Sequence, residues 1–269
     1  MSKVVIITGA SAGMGASTAK HLSDQGYRIF GASRRAETGR SSNGFTELQM
    51  DVTDENSVAS AVDHGMTECG RIDALVNNAG IGLIGSIEDT SNAEAKAVFE
   101  TNVFGLMNVC RAVLPHMRAA KSGNIINISS VAGKMGLPYR GIYSASKAAV
   151  IMITEATSSE VKKHHIKVSA ILPGDFKTNI NDNRRVVEKA SDSDYRSETD
   201  MINDLVTEEV SHSLDPILIA ETVEKILKSN NPRLRYTVGK PLQKLSARLH
   251  DLLPGRWFEN IINQHYKLK

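Results

Sequence analysis

The sequence contains little of what marks several specialised classes of protein. It has two cysteines, Cys69 and Cys110, among 269 residues. They form no CxxC pair and have no metal ligands beside them, which predicts reduced thiols rather than a disulfide framework or a zinc site. The pair His164–His165 also lacks a neighbouring Cys, Asp or His, and is more typical of positive charge at a helix C-terminus than of a metal site. We therefore predict no metal centre.

The sequence also has no large excess of positive or negative charge and no long apolar run. Lys and Arg exceed Asp and Glu by two, and aromatic residues make up 5% of the chain, which argues against a nucleic-acid-binding protein. A run of about 18 apolar residues is missing, so the sequence predicts no membrane-spanning helix. A strand pattern begins at Lys3 and leaves no room for a signal peptide, so we expect a cytoplasmic protein.

Short apolar runs alternate with amphipathic stretches of helical length. Strands are predicted at Val4–Thr8, Arg28–Ala32, Glu47–Val52, Ala74–Asn77, Asn124–Ser129 and Val168–Leu172. Runs such as VVII and IINI are apolar on both faces, as expected of parallel strands that helices cover on both sides. The alternation predicts an α/β fold, a Rossmann-type doubly wound parallel sheet of about seven strands with helices on both faces, in a single domain over residues 1–269.

Residues 175–215 interrupt this alternation. The segment has 11 acidic and 5 basic residues and few large apolar ones. A long polar segment after a strand end favours a mobile lid over a site. A solvated insertion without a role is the alternative.

A glycine-rich turn, TGASAGMG, follows the first predicted strand and opens a helix. Glycines permit the tight turn and let a pyrophosphate approach the backbone at the positive N-terminus of the helix. In that position the turn indicates a dinucleotide site. The candidate contacts are Gly9, Ser11, Ala12, Gly13, Met14 and Gly15.

The end of the second strand predicts which nicotinamide cofactor is bound. An acidic residue there would bind the ribose 2′-hydroxyl of NAD, whereas an arginine would accept the 2′-phosphate of NADP. The chain has Arg34 and Arg35 there and no carboxylate before Glu37, and a guanidinium suits a phosphate dianion. We predict NADP(H) as the preferred cofactor, with Ser11 as a further contact. NAD(H), with two solvated loop arginines, is the alternative.

Two more groups follow predicted strands. Asp51 and Val52 close the third strand, where the adenine would lie, and Asn78, Ala79 and Gly80 follow the fourth, where small residues admit a ribose. Either group could be a simple turn. Their recurrence at the carboxyl ends of successive strands favours cofactor contacts, because ligands of open α/β sheets bind at that edge.

Tyr143 and Lys147 lie four residues apart in YSASK, and Ser130 lies thirteen residues before Tyr143. Positions i and i+4 share a helix face, which places the Lys147 ammonium beside the phenol. A tyrosine with a pKa of about 10 is a poor acid near neutrality, and a nearby positive charge lowers that pKa. The pair therefore predicts an acid–base group. Tyr236 and Lys240 share the spacing, but glycine and proline around Lys240 disfavour a helix there.

Together these motifs closely resemble the short-chain dehydrogenase/reductase family in its compact single-domain form. The matches are TGASAGMG at 8–15, DV at 51–52, NNAG at 77–80, Asn102 in TNVFG, ISS at 128–130, YSASK at 143–147 and LPG at 172–174 followed by Thr178. They keep the family's order and spacing from residue 4 to about residue 180.

The resemblance implies a catalytic tetrad of Asn102, Ser130, Tyr143 and Lys147. Tyr143 would exchange a proton with the substrate oxygen, which Ser130 would hold by a hydrogen bond. Lys147 would lower the pKa of Tyr143 and bind the nicotinamide ribose, and Asn102 would hold a water. The spacing to Tyr143 selects Ser130 over its neighbour Ser129.

After the sixth strand, the resemblance implies that Pro173, Gly174 and Thr178 contact the cofactor. Asp175 departs from the apolar residues often found there, and would either stabilise the oxidised nicotinamide or point to solvent. The activity implied is NADP(H)-dependent hydride transfer between the nicotinamide and a carbonyl or secondary alcohol. The alternatives are an NAD(H)-preferring alcohol dehydrogenase and a catalytically silent NADP-binding regulator. The family also implies a homodimer or homotetramer formed through the helices that carry Asn102 and Tyr143.

The carboxyl-terminal extension, residues 233–269, is basic, with 8 Lys or Arg against 2 acids. Leucines at 242, 245, 249 and 252 recur at helical spacing, lysines and arginine at 240, 244 and 248 mark another face, and Trp257, Phe258, Ile261 and Ile262 follow. We favour a helix packed on its own domain with a wet basic face. An anionic membrane surface and one wall of an apolar pocket are the alternatives. The extension resembles that of the steroid and retinol dehydrogenase branch, which implies a bulky lipophilic substrate.

Overall fold

A parallel sheet forms the centre of the computed structural model, which describes residues 2–42, 44–177, 184–211, 213–250 and 252–268. Its seven parallel strands are β1 (Val4–Thr8), β2 (Arg28–Ser33), β4 (Phe45–Gln49), β5 (Ala74–Asn77), β7 (Gly123–Ile128), β8 (Ile166–Pro173) and β10 (Arg235–Val238). They lie in the order β10-β8-β7-β5-β1-β2-β4, and a short β3 (Ser41–Ser42) adds antiparallel to the β4 edge. This is the doubly wound sheet that the sequence predicts.

Helices cover both faces of the sheet. In chain order, the helices of the described residues are α1 (Gly13–Asp24), α2 (Glu55–Cys69), α3 (Asn92–Phe99), α4 (Gly105–Ala119), α5 (Gly141–Glu160), α6 (Arg196–Ser211), α7 (Ile217–Lys228), α8 (Pro241–Leu249) and α9 (Gly255–His265). Two further strands, β6 (Gly82–Ile84) and β9 (Arg184–Val186), pair in parallel outside the main sheet.

The sequence of β1 explains why two hydrophobic cores form. Successive side chains of a strand point to opposite faces. Val4 and Ile6 join the cluster shared with α2, α4 and α5, whereas Val5 and Ile7 join the cluster shared with α1 and α7. All five residues of β1 are buried. The prediction that this strand is apolar on both faces is confirmed.

Strand positions were predicted correctly, and strand bounds less exactly: β7 and β8 differ from their predictions by one or two residues. The bounds of β1 and β5 are as predicted, but the predicted strand Glu47–Val52 is wrong at both ends, since β4 is Phe45–Gln49. It ends early because the Asp51 carboxylate accepts hydrogen bonds from the Thr53 backbone N–H at 3.0 Å and from its hydroxyl at 2.8 Å, which stabilises a turn.

Asn92–Ala119 runs as one helix through α3, a π-helical turn at Glu100–Phe104, and α4. It is long and apolar enough to cross a membrane by length and composition, but half of its most apolar stretch is buried inside the protein. That composition is equally typical of a core helix, so it is weak evidence for a span.

The described part of residues 175–215 forms regular structure over the carboxyl edge of the sheet. It comprises β9, a 3-10 turn at Glu188–Asp192, and α6. Ile202, Val206 and Val210 of α6 are buried in a cluster with Ile84 and Tyr266. The polar composition predicted a lid here, and the structure places a packed helix at that position.

Candidate active site

The turn between β1 and α1 needs glycine at two positions. Gly9 has φ +67°, in the left-handed region that favours glycine. A Cβ on Gly15 would lie 2.2 Å from the Gly9 carbonyl oxygen, closer than any side chain tolerates. Helix α1 then begins after Ala12, which makes no side-chain capping hydrogen bond, and its first turn holds no acidic residue. Its first N–H groups therefore fit an anion such as a pyrophosphate.

Asn78 holds this turn in place from the neighbouring strand. Its side-chain nitrogen donates to the Thr8 carbonyl at 3.0 Å and to the Gly9 carbonyl at 3.1 Å. The Thr8 hydroxyl in turn accepts from the backbone N–H groups of Asn78 and Ala79, each at 3.0 Å. The Asn78 amide, a predicted cofactor contact, is thus engaged with the backbone of the glycine turn.

A cleft of about 940 Å³ opens at the carboxyl edge beside this turn. The predicted residues that line it are Gly9, Ser11, Arg34, Arg35, Asp51, Val52, Ala79 and Gly80. The sequence analysis missed Glu100, Thr101 and Arg185, which line it too. Arg185 arrives from β9, and its spacing to the other motifs carries no signal that could have identified it.

The other predicted cofactor residues lie elsewhere. Ala12, Gly13 and Gly15 form the turn and the start of α1, whereas Met14, Pro173 and Gly174 line a second, smaller cavity. Thr178 lies outside the described residues.

Asn102 lies in the π-helical turn, 2% exposed. Its Oδ1 accepts from the Ile81 backbone N–H at 2.8 Å, and its Nδ2 donates to the Ile81 carbonyl and to the Ser146 hydroxyl, each at 3.0 Å. A π-helical turn inserts one residue into a helix and often marks a functional site. Here it directs Asn102 between the loop after β5 and helix α5.

Lys147 is buried beside the same loop. Its Nζ donates to the Ile128 carbonyl at 3.0 Å and lies 5.9 Å from the centre of the Tyr143 ring. Burial lowers the pKa of Lys147 to about 8. A Cβ on Gly80 would lie 3.0 Å from the Asn102 Oδ1 and 3.4 Å from the Lys147 Nζ. Gly80 thus joins the large cleft to the tetrad.

Tyr143 and Ser130 face the second cavity. The Ser130 hydroxyl accepts a hydrogen bond from the Ala132 N–H at 3.1 Å and donates one to the Pro173 carbonyl at 3.4 Å. Its polar side chain also acts to lower the pKa of the Tyr143 phenol. Ser129 instead donates to the Lys147 carbonyl at 2.7 Å, so of the two serines it is Ser130 whose side chain affects the Tyr143 phenol.

The electrostatics of Tyr143 differ from the prediction. Burial is the largest cause and raises the pKa of Tyr143 above its usual value, while the Arg140 charge and the Ser130 side chain act in the opposite direction. The predicted lowering by Lys147 is therefore wrong for this arrangement. The cation that opposes burial is Arg140, whose guanidinium carbon lies 5.3 Å from the ring centre. Sequence reasoning missed it because Arg140 precedes α5 and belongs to none of the motifs.

The second cavity is small, about 60 Å³. Asp175 lines it and does not point to solvent: its carboxylate accepts a hydrogen bond from Gln243 of α8, and burial raises its pKa. Arg140, Arg184 and Val206 also line the cavity. The site therefore comprises a long cleft, suited to a dinucleotide, and a separate small pocket that presents the Tyr143 phenol.

Comparisons with known proteins show which family and fold this chain is similar to. The family model described as short chain dehydrogenase matches residues 3–189. The chain is 39% identical over 268 residues to the 3-ketodihydrosphingosine reductase of Bacteroides thetaiotaomicron, covering 99% of each chain. It superimposes on a short-chain dehydrogenase/reductase from Burkholderia phymatum in complex with NAD with a TM-score of 0.81 at 25% identity, covering 93% of each chain. For ElxO with NADP bound, the TM-score is 0.72 at 27% identity, covering 88% of this chain and 97% of ElxO.

Proposed function

The chain belongs to the short-chain dehydrogenase family, which makes it an oxidoreductase acting on CH–OH or C=O groups with a nicotinamide cofactor, and we propose that it is an NADP(H)-dependent reductase of a lipophilic ketone. The observation that carries the proposal is the Tyr143 phenol, which lines a small pocket together with Ser130, while the cofactor-sized cleft reaches Asn102 and Lys147 at Gly80.

In the proposed reaction the residues of this chain bind, orient and move a proton. When bound, the nicotinamide supplies the hydride. Tyr143 gives its phenolic proton to the carbonyl oxygen, and Ser130 donates a hydrogen bond to the same oxygen. Lys147, held by the Ile128 carbonyl, binds the ribose hydroxyls. Asn102 keeps the loop at Ile81 fixed against α5.

Three arginines favour NADP(H) over NAD(H). Arg34 and Arg35 line the cleft at the end of β2, and Arg185 lines it from β9. A 2′-phosphate in that cleft would meet guanidinium groups, which bind phosphate oxygens by charge-assisted hydrogen bonds.

Cofactor kinetics test this preference. Each charged hydrogen bond contributes about 1.5–3 kcal/mol, and exposure reduces that figure, so we expect Arg34→Ala with Arg35→Ala to raise the KM for NADPH about tenfold or more. The KM for NADH should change less than about twofold, because NADH lacks the phosphate. Arg40→Ala is the matched control, since Arg40 is exposed and pairs with Glu37 at 3.5 Å. Equal changes for both cofactors would leave an NAD(H)-preferring dehydrogenase as the better reading.

A relative of known name supports a proposal for the substrate class. A protein named 3-ketodihydrosphingosine reductase shares 39% identity over the whole chain, and its name describes a ketone on a long alkyl chain. We propose a ketone of this kind as the substrate, which is a lipophilic ketone as the carboxyl-terminal extension implies.

Initial rates of NADPH oxidation with 3-ketodihydrosphingosine and with short ketones test the activity directly. Tyr143→Phe should abolish turnover and retain NADPH binding. Arg140→Met should move the alkaline limb of the rate profile to higher pH, because Arg140 is the charge that opposes burial of the phenol. Tight NADPH binding without turnover of any carbonyl would instead support the catalytically silent regulator.

We further propose that the protein is a cytoplasmic homo-oligomer. The support is the exposure of large apolar side chains on the helices that carry the tetrad: Phe104 is 46% exposed beside Asn102, and Met152 is 56% exposed on α5. Sedimentation of the wild type and of Met152→Asp tests the assembly, which should dissociate in the variant if α5 forms the contact.

A further inference from the structure

Five large apolar side chains on the last two helices and the link between them face solvent. They are Leu242, Leu245, Leu252, Trp257 and Ile261, with exposed fractions of 71%, 49%, 77%, 66% and 46%. We call them the C-terminal apolar face. The described residues leave twelve large apolar side chains at least about a third exposed, and these five fall within twenty consecutive positions. Such clustering marks an interaction surface rather than scattered surface residues.

The two helices are already attached to the protein through a different side. Ala247 of α8 and Phe258 of α9 are buried against Met135, and Gln243 of α8 bonds to Asp175. The prediction that this extension packs on its own domain is therefore correct for that side. It is wrong for Leu242 and Leu245, which point outward, so the fold itself does not use them.

Positive charge accompanies the C-terminal apolar face. Lys244 on α8 and Lys267 after α9 are exposed, and the exposed Arg256 is ion-paired with Glu259 at 2.7 Å. Residues 233–269 carry a net charge of +6, whereas the whole chain carries +2. The rest of the protein is therefore net negative, and the excess of positive charge lies in the segment that includes the C-terminal apolar face. Apolar residues flanked by Lys and Arg are the chemistry that anionic lipid surfaces attract.

The same helices contact the active site. Gln243 holds Asp175 in the substrate-side cavity, and Tyr266, just after α9, interacts electrostatically with Arg140 of that cavity. One side of this helix pair thus borders the pocket while the opposite side exposes leucines.

From these observations we propose that α8 and α9 dock the protein on an anionic lipid bilayer through the C-terminal apolar face. The docking itself does not depend on the proposed function. Only the delivery of a substrate from the docked bilayer rests on it. A long-chain ketone dissolved in that bilayer would reach the pocket from the side that the two helices border.

Trp257 provides the direct test, because it is the only tryptophan in the chain. With vesicles of phosphatidylcholine and phosphatidylglycerol at low salt, Trp257 emission should shift to shorter wavelength and be quenched by lipids brominated on the acyl chain. The protein should float with these vesicles and bind pure phosphatidylcholine vesicles at least about tenfold more weakly.

Variants separate the two contributions. Leu242→Glu with Leu245→Glu should abolish flotation, and Lys244→Glu should weaken it only for anionic vesicles. Ile87→Glu is the matched control, since Ile87 is 68% exposed outside these helices, and it should float like the wild type. Circular dichroism and thermal unfolding confirm that each variant is folded.

Wild type that stays with the soluble fraction, with unchanged Trp257 emission, overturns the proposal. It is equally overturned if Leu242→Glu with Leu245→Glu dissociates an oligomer without vesicles while wild type does not float, since the face then joins two copies of this chain. Vesicle binding needs neither cofactor nor turnover, so Tyr143→Phe should still float. A reductase that fails to float therefore refutes docking alone, and a protein that floats without reducing ketones refutes the function alone.

Discussion

Lys147 is a buried ammonium, and replacing it should stabilise the protein near neutral pH. The residue is 6% exposed, and burial lowers its pKa from 10.5 to about 8. Because one pKa unit corresponds to about 1.4 kcal/mol, holding the charge in the folded state costs about 3 kcal/mol. The hydrogen bond to the Ile128 carbonyl returns about 1 kcal/mol. We therefore expect Lys147→Met to raise the free energy of unfolding by about 2 kcal/mol.

The gain depends on pH in a defined direction. Below about pH 8 both the folded and the unfolded chain hold the Lys147 proton, so the full cost applies. Between about pH 8 and pH 10.5 only the unfolded chain holds it, so the stability of the wild type rises with pH. The advantage of Lys147→Met should shrink through this window and disappear near its upper end.

Urea unfolding followed by circular dichroism measures the effect, at about pH 7 and again above about pH 9, on cofactor-free protein. In thermal unfolding the variant should melt about 5 °C higher at neutral pH. Lys96→Met, which removes an exposed lysine, should change little at either pH. A variant that is less stable than the wild type at neutral pH, or whose gain is the same at both pH values, would refute the reasoning.

Three further predictions concern Gly15, the two cysteines and Asn102. Gly15→Ala places a Cβ 2.2 Å from the Gly9 carbonyl oxygen, so it should cost about 2 kcal/mol of stability and weaken NADPH binding in a fluorescence titration; unchanged binding would contradict the geometry. Burial raises the pKa of the Cys110 thiol to about 12, so a thiol reagent at about pH 8 should label only Cys69 in the folded protein and both thiols after unfolding. Asn102→Ala removes the Asn102 hydrogen bonds of the Ile81 N–H, the Ile81 carbonyl and the Ser146 hydroxyl. It should lower the free energy of unfolding in urea by about 2–4 kcal/mol. A loss below about 1 kcal/mol would show that other groups replace these bonds.

Local patterns predicted what depends on neighbours in sequence. The alternating burial of β1, the glycine turn before α1 and the four-residue spacing of Tyr143 and Lys147 each follow from backbone geometry over a few residues. The comparisons confirm the family that these motifs indicated. The end of β4 was harder to predict, because a side-chain turn at Asp51 competes with the strand ladder.

The sides of helices were harder to assign. Leucines at helical spacing correctly indicated α8, but their spacing predicted that side as the packed one, and the structure buries Ala247 and leaves Leu242 exposed. Periodicity states which residues share a side of a helix. Which side of the helix packs against the rest of the domain depends on the surface of the folded protein next to it.

The sequence by itself determined the α/β alternation, the glycine turn before α1 and the family to which the chain belongs, because each is written in short motifs. Only the tertiary structure brought Arg140 to the Tyr143 phenol, Arg185 to the cofactor cleft and Gln243 to Asp175. These residues come from separate segments, and their meeting depends on how parallel strands align at one edge of the sheet. The direction of the Tyr143 pKa was decided in the same way, since burial is a property of the packed protein and not of any motif.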